Sequence, residues 1–243
     1  MTDRNQFDVR SEKELPEVTA VDEDNLAAII REFGRSMREV TSGLDDAMSR
    51  WESTHRNSLR PIRVILGALS KINFLKNLED LGKLASFEGI IDKAVVKNLG
   101  ELDKLLPKLL ALAPDFEGVI RKMRLMTERV SGLQRKAAEL LQSTEKPDTK
   151  LRQLVDNVES LAQKLRTIVA MYEDEYLFRM KVIGNIEELI DPKELYTHLL
   201  LWTLEPYLES ERIETIRKEI GTHIETTRSL VSTSTRSKPL NVF

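Results

Sequence analysis

About forty residues from Leu151 to Ile190 contain no proline and repeat apolar side chains on an alternating four-and-three spacing. Leu154, Val158, Leu161, Leu165, Ile168 and Tyr172, then Val182, Ile186 and Leu189, form the seam; Val155, Ala162, Val169, Tyr176, Ile183 and Ile190 widen it. As one helix this stretch would run about 60 Å. A stripe that long and wide cannot stay in water, so the chain must supply or recruit other helices to cover it. Composition agrees: 32% of residues are charged, only 5% are aromatic, and 243 residues include just 10 Gly and 8 Pro. The expected fold is all-α: an elongated antiparallel helical bundle with coiled-coil-like long helices and a C-terminal helical hairpin.

The seam is interrupted where Glu175 and Arg179 take its next two positions. They stand four apart, acid before base, the orientation in which helical side chains pair. Two readings follow: a polar pair that sets register inside a bundle, or the point where the helix leaves its partner and meets solvent.

Around this segment the chain divides by composition. Residues 1–22 are polar, acidic-leaning and broken by Pro16, and read as a disordered tail. Residues 23–142 read as an N-terminal helical region. There Leu26, Ile29, Ile30, Phe33, Met37, Val40, Leu44, Met48 and Trp51 make one stripe, and Pro61 fits the first turn of a second helix. Between Asn73 and Gly100 apolar residues are dense, but Gly82, Gly89 and Gly100 suggest short helices. Pro114 suits another helix start. Residues 143–149 carry the turn residues of a linker. Residues 150–228 hold the long helix and a hairpin that begins at Asp191-Pro192, and Pro206 should kink or end that hairpin's first helix. Residues 229–243, rich in Ser and Thr, read as a flexible tail.

Little in the sequence points to chemistry. A net charge of −3 gives no field that would draw nucleic acid, and the absence of Cys removes disulfides, thiolate metal sites and a cysteine nucleophile. No phosphate-cradling glycine loop of the GxxxxGK[ST] or GxGxxG kind is present, and His55, His198 and His223 lie far apart outside any ligand-pair motif. The start of the chain lacks a signal-peptide pattern and no long uncharged apolar run follows, so the expectation is a soluble intracellular protein, not an enzyme, with no cofactor, no metal, no direct nucleic-acid contact and no membrane contact.

Two further runs carry a family resemblance. Met171-Tyr-Glu-Asp-Glu-Tyr-Leu-Phe-Arg-Met-Lys-Val182 and Leu201-Trp-Thr-Leu-Glu-Pro-Tyr-Leu-Glu-Ser210 resemble the C-terminal part of the cyclin-dependent kinase 2-interacting protein family. Tyr172, Glu175, Arg179, Trp202, Pro206, Tyr207, Glu209 and Ser210 follow that family's order, and Trp51-Glu52 matches its N-terminal Trp-Glu. The likeness covers residues 165–225. A sister family of helical ribosome maturation factors has a similar layout, but the Pro-Tyr-Leu-Glu-Ser run favours the first.

The resemblance implies a non-enzymatic adaptor in the nucleus, and in the cytoplasm as well. Its implied role is an accessory subunit of a type II AAA+ ATPase complex in ribosome biogenesis, DNA replication and genome maintenance. The implied partners are a related helical companion subunit in a hetero-oligomer, the AAA+ ATPase, and cyclin-dependent kinase/cyclin complexes. Trp51, Tyr172, Glu175, Arg179, Trp202, Pro206, Tyr207 and Glu209 are the candidate interaction residues. Trp202, Pro206 and Tyr207 could be an exposed anchor, or could fold back and be buried in the chain itself. Lys238-Pro239-Leu240-Asn241-Val242 looks like a degenerate cyclin-docking peptide. The alternative class is a coiled-coil structural subunit of a cytoskeletal, kinetochore or membrane-tethering complex.

Overall fold

A computed structural model describes residues 23–77, 82, 88–185 and 192–232. The expected tails 1–22 and 233–243, the cyclin-docking pattern, the seam positions Ile186, Leu189 and Ile190, and Asp191 as a cap lie outside the described residues. The described chain is all-α, without strands. Its helices are α1 (Glu23–Lys76), α2 (Glu88–Leu110), α3 (Ala113–Ser143), α4 (Thr149–Asn185), α5 (Pro192–Leu204) and α6 (Ser210–Ser232).

Helix α1 carries 54 residues, about 80 Å at 1.5 Å per residue, and runs straight through Pro61. The expected helix start at Pro61 is therefore wrong. Pro61 costs one backbone hydrogen bond, but the residue whose carbonyl it frees, Asn57, is exposed to water. Meanwhile the stripe continues through Ser58, Ile62, Ile65, Leu69 and Ile72, all buried. Packing along the whole seam outweighs one missing bond. The breaks expected at Gly89 and Gly100 are likewise absent: both lie inside α2, which also runs through an exposed Pro107. Gly82, by contrast, does take the left-handed conformation that glycine favours, with φ 47°.

Paired side chains give the helix directions. Arg124 of α3 meets Glu173 of α4, while Ser131 and Gln134 meet Arg166, so one number rises as the other falls: the two helices are antiparallel across the Thr144–Asp148 connection. Asp46 meets Lys122 and Trp51 meets Phe116, which sets α1 antiparallel to α3. A Cβ on Gly43 would lie 2.5 Å from Met126 Sδ, so these two helices approach closely there. Asp45 meets Arg217 and Met37 meets Thr227, which sets α1 antiparallel to α6. Asn157 with Thr227, and Lys164 with Glu219, set α4 antiparallel to α6.

The result is a bundle of α1, α3, α4 and α6, and α1 continues past it to pack against α2 and α5. The connection at 143–149 joins α3 to α4. It does not divide the core: α1 packs against helices from both sides of it, and the buried side chains form one cluster. Ser229–Ser232, expected in the tail, belong to α6, with Leu230 buried.

Two helix breaks fall at one level of α1. The step from α2 to α3 at Ala111–Leu112 brings Phe116 to Trp51, and the turn from α5 to α6 at residues 205–209 brings Glu205 to Trp51 and Trp202 to Ser58. The polar interruption of α4 sits at that level.

Candidate functional site

Glu175, Arg179, Trp51 and Trp202 are each 0% exposed, which decides between the two readings of the α4 break: the pair is inside. Arg179 Nε donates to Glu175 Oε1 at 2.9 Å, as the four-residue spacing allows. Its Nη2 donates to Glu205 Oε1 at 2.7 Å and to His55 Nδ1 at 3.1 Å. Because a guanidinium can only donate, His55 must accept on Nδ1 and carry its proton on Nε2.

The guanidinium is also boxed by aromatic faces. Its carbon lies 4.6 Å from the Trp51 ring, 4.5 Å from Phe116 and 5.1 Å from Trp202. Nη1 has no oxygen or nitrogen partner, and these ring faces stand in place of one. The rings hold each other as well: Trp51 meets Phe116 at 4.7 Å and Tyr172 at 5.3 Å, and Phe116 meets Trp202 at 6.0 Å, all edge to face. Taking a guanidinium out of water costs several kcal/mol. Two carboxylates and three rings offset that cost.

Glu205 closes the cluster. Its Oε1 also accepts from Trp51 Nε1 at 2.9 Å and lies 3.5 Å from His55 Nδ1. Glu205 has φ 48°, the left-handed position just past a helix end where glycine is usual. A side chain is needed there because its carboxylate reaches α1 and α4 from the turn. Pro206 follows, cannot continue α5, and lets Tyr207 N donate to Glu175 Oε2 at 3.3 Å. Below, Trp202 Nε1 donates to Ser58 Oγ at 3.1 Å, and Ser58 donates to the His55 carbonyl at 2.6 Å.

Burial sets the titration. It lowers the His55 pKa from its ordinary value, with Arg179 adding to the effect and Glu205 opposing it. It raises the Glu175 carboxyl against the pull of Arg179, and lowers Arg179 against its two carboxylates. The Tyr172 hydroxyl is pushed up, chiefly by burial and then by Glu205.

Of the eight candidate interaction residues, Trp51, Tyr172, Glu175, Arg179 and Trp202 meet here and are buried within the chain. They cannot touch a partner in this fold, because the bundle's own helices already cover them. Pro206, Tyr207 and Glu209 are exposed; Tyr207 packs on Phe178 at 6.0 Å, and Glu209 pairs with Arg212. Sequence reading missed Glu205, His55, Phe116 and Ser58. The signal for Glu205 was present: an acidic residue directly before a helix-ending proline, beside a buried Trp.

A second polar chain links α4 to α6. Asn157 Oδ1 accepts from His223 Nδ1 at 3.1 Å, His223 Nε2 faces Ser160 Oγ at 2.9 Å, and Lys164 Nζ donates to Ser160 Oγ at 2.9 Å. The order nucleophile, base, orienter is that of a hydrolase triad. Ser160 nevertheless sits in mid-helix, where the neighbouring backbone N–H groups are spent on the helix and cannot form an oxyanion hole. The chain is a polar ladder that fixes α6 on α4.

Among the described residues no group of three or more His, Asp and Glu could hold a metal ion, and no helix is long and apolar enough to cross a membrane. Fold and cluster together define an all-helical bundle with a boxed interior arginine. No protein-family model matches the chain, and no curated protein matches it.

Proposed function

We propose that this chain is a non-enzymatic helical adaptor: an accessory subunit of a type II AAA+ ATPase assembly acting in ribosome biogenesis, DNA replication and genome maintenance, and a binder of cyclin-dependent kinase complexes in the nucleus. One observation carries the reading. Trp51, Tyr172, Glu175, Arg179 and Trp202, which bear the resemblance, meet in a single buried cluster although they span some 150 positions of sequence. Residues with a joint structural task are what a shared fold would retain, and chance spacing gives no reason for them to converge. In this reading they build the bundle, and contact with a helical companion and the ATPase falls to exposed residues.

The coiled-coil structural alternative is weaker. Its main support was the α4 seam, and Leu154, Leu161, Leu165 and Ile168 of that seam are buried in the chain's own core. Capture of the tagged full chain from cell extract, followed by mass spectrometry, tests the proposal. It should enrich a AAA+ ATPase together with a small helical companion. A folded chain that captures no AAA+ protein sinks it.

A further inference from the structure

A cleft of about 540 Å³ runs between the first half of α1 and the last two turns of α6. Ile30, Gly34 and Val231 form its floor, and Arg31, Arg38 and Arg228 stand around it. Arg31 and Arg38 are seven residues apart on α1, so they share a face two turns and about 10 Å apart. Gly34, between them, has no side chain to fill the space, and Arg38 Nη1 lies 3.9 Å from where its Cβ would be. The neighbouring arginines have acids of their own: Arg35 pairs with Glu32 and Glu39, and Arg228 has Glu225 at 3.9 Å. Arg31 and Arg38 have no ion pair among the described residues. Their charge is left to whatever occupies the cleft.

We infer that the occupant is the chain's own segment Glu14-Leu-Pro-Glu-Val18, which lies outside the described residues, turned back along α1. Charge, reach and register all fit. From Glu14 to Asp22 the chain carries three acids and no base. α1 begins at Glu23, and Arg31 lies about 12 Å along it, whereas the six residues from Glu17 to Glu23 can span about 20 Å. A reversal at residues 19–22 therefore brings Glu17 to Arg31. Pro16 fixes its own φ and biases Leu15 toward polyproline II. That helix has three residues per turn and rises about 3.1 Å per residue, which puts Glu14 and Glu17 on one edge about 9 Å apart. The spacing matches Arg38 and Arg31, and Leu15 and Val18 share a second edge, available to the floor of Ile30 and Val231. An acidic peptide from another protein would have to displace a segment tethered at about millimolar effective concentration.

Lys13 is the only lysine in residues 1–22, so a lysine-specific protease acting on the full chain reports on the segment beside it. Arg31→Glu combined with Arg38→Glu should quicken the cut after Lys13 about tenfold, because cutting follows the undocked population. Helical circular dichroism should not change, since both side chains are exposed. Exchanging the charges keeps the test independent of the sequence around Lys13. Glu14→Arg with Glu17→Arg should be cut fast in the natural cleft, and adding Arg31→Glu and Arg38→Glu to that chain should slow the cut about tenfold again. Equal cutting of the natural chain and the cleft variant overturns the inference, and so does a fourfold variant cut as fast as the one altered only at positions 14 and 17. Protection that rises with chain concentration overturns it too, because the segment would then sit in the cleft of a second copy.

Discussion

Arg179 Nη2 lies 2.7 Å from Glu205 Oε1, so the residue that breaks the apolar seam of α4 also fixes where α5 must end. One guanidinium ties a long bundle helix to a turn, and through Glu205 the turn is tied to Trp51 of α1. The arginine is therefore a three-helix fastener rather than a solvent-facing defect in a heptad.

Removing the arginine should be severe. Arg179→Ala leaves Glu175 buried without its cation and empties the space among three rings, so unfolding free energy should fall by about 3 to 5 kcal/mol. Arg179→Met fills the space but keeps the stranded carboxylate. Adding Glu175→Gln to Arg179→Met should restore about 1 kcal/mol or more, the size of coupling expected of neighbours in one network. Urea unfolding followed at 222 nm measures all three together with the Glu175→Gln single variant, which completes the cycle. Additive effects of the two substitutions would show that the pair is not coupled.

At position 205 backbone and side chain pull in opposite directions. Glu205→Ala loses the carboxylate and keeps a Cβ at φ 48°; Glu205→Gly loses the carboxylate and relieves the left-handed strain. Both should destabilise, with the alanine variant the weaker of the two by about 1 kcal/mol. Equal melting temperatures for the two variants would remove the backbone part of this account.

The buried cluster was half legible in the sequence. The spacing of Glu175 and Arg179 shows a pair because helical neighbours are fixed by local geometry alone. Nothing local announces that Phe116, at the start of α3, or His55, mid-way along α1, would face that pair, since those contacts depend on two helix breaks falling at the same height. The continuity of α1 through Pro61 was hidden for a related reason: helix propensity is local, and the buried residues after Pro61 that override it acquire their weight only once α2 and α5 are in place.

Trp202 and Tyr207 lie five residues apart in one motif and should behave oppositely. Trp202→Ala removes a wholly buried ring that donates to Ser58, and should cost about 3 to 5 kcal/mol. Tyr207 is 47% exposed, and its link to Glu175 runs through the backbone N–H, which alanine keeps. Tyr207→Ala should therefore change stability by no more than about 0.5 kcal/mol. Thermal melts of the two proteins decide it, and a large loss at Tyr207 would mean that its stacking on Phe178 matters far more than its exposure suggests.

His55 should make the bundle acid-sensitive. Its pKa in the folded chain lies below the ordinary value of about 6.5 because burial and Arg179 oppose the charge, while in the unfolded chain it returns to that value. Between the two values the unfolded state binds the extra proton. The stabilisation contributed by neutral His55 is thus fully present above about pH 6.5 and is lost as pH falls toward the folded value. Structurally, a proton on Nδ1 would confront the Arg179 Nη2 that now donates to it. His55→Gln keeps an acceptor without a titrating ring. Melting temperatures between pH 8 and pH 5 should fall more steeply for the natural chain than for His55→Gln, and because His223 is present in both, the difference isolates His55. Parallel curves would show that His55 takes its proton as readily when folded as when unfolded.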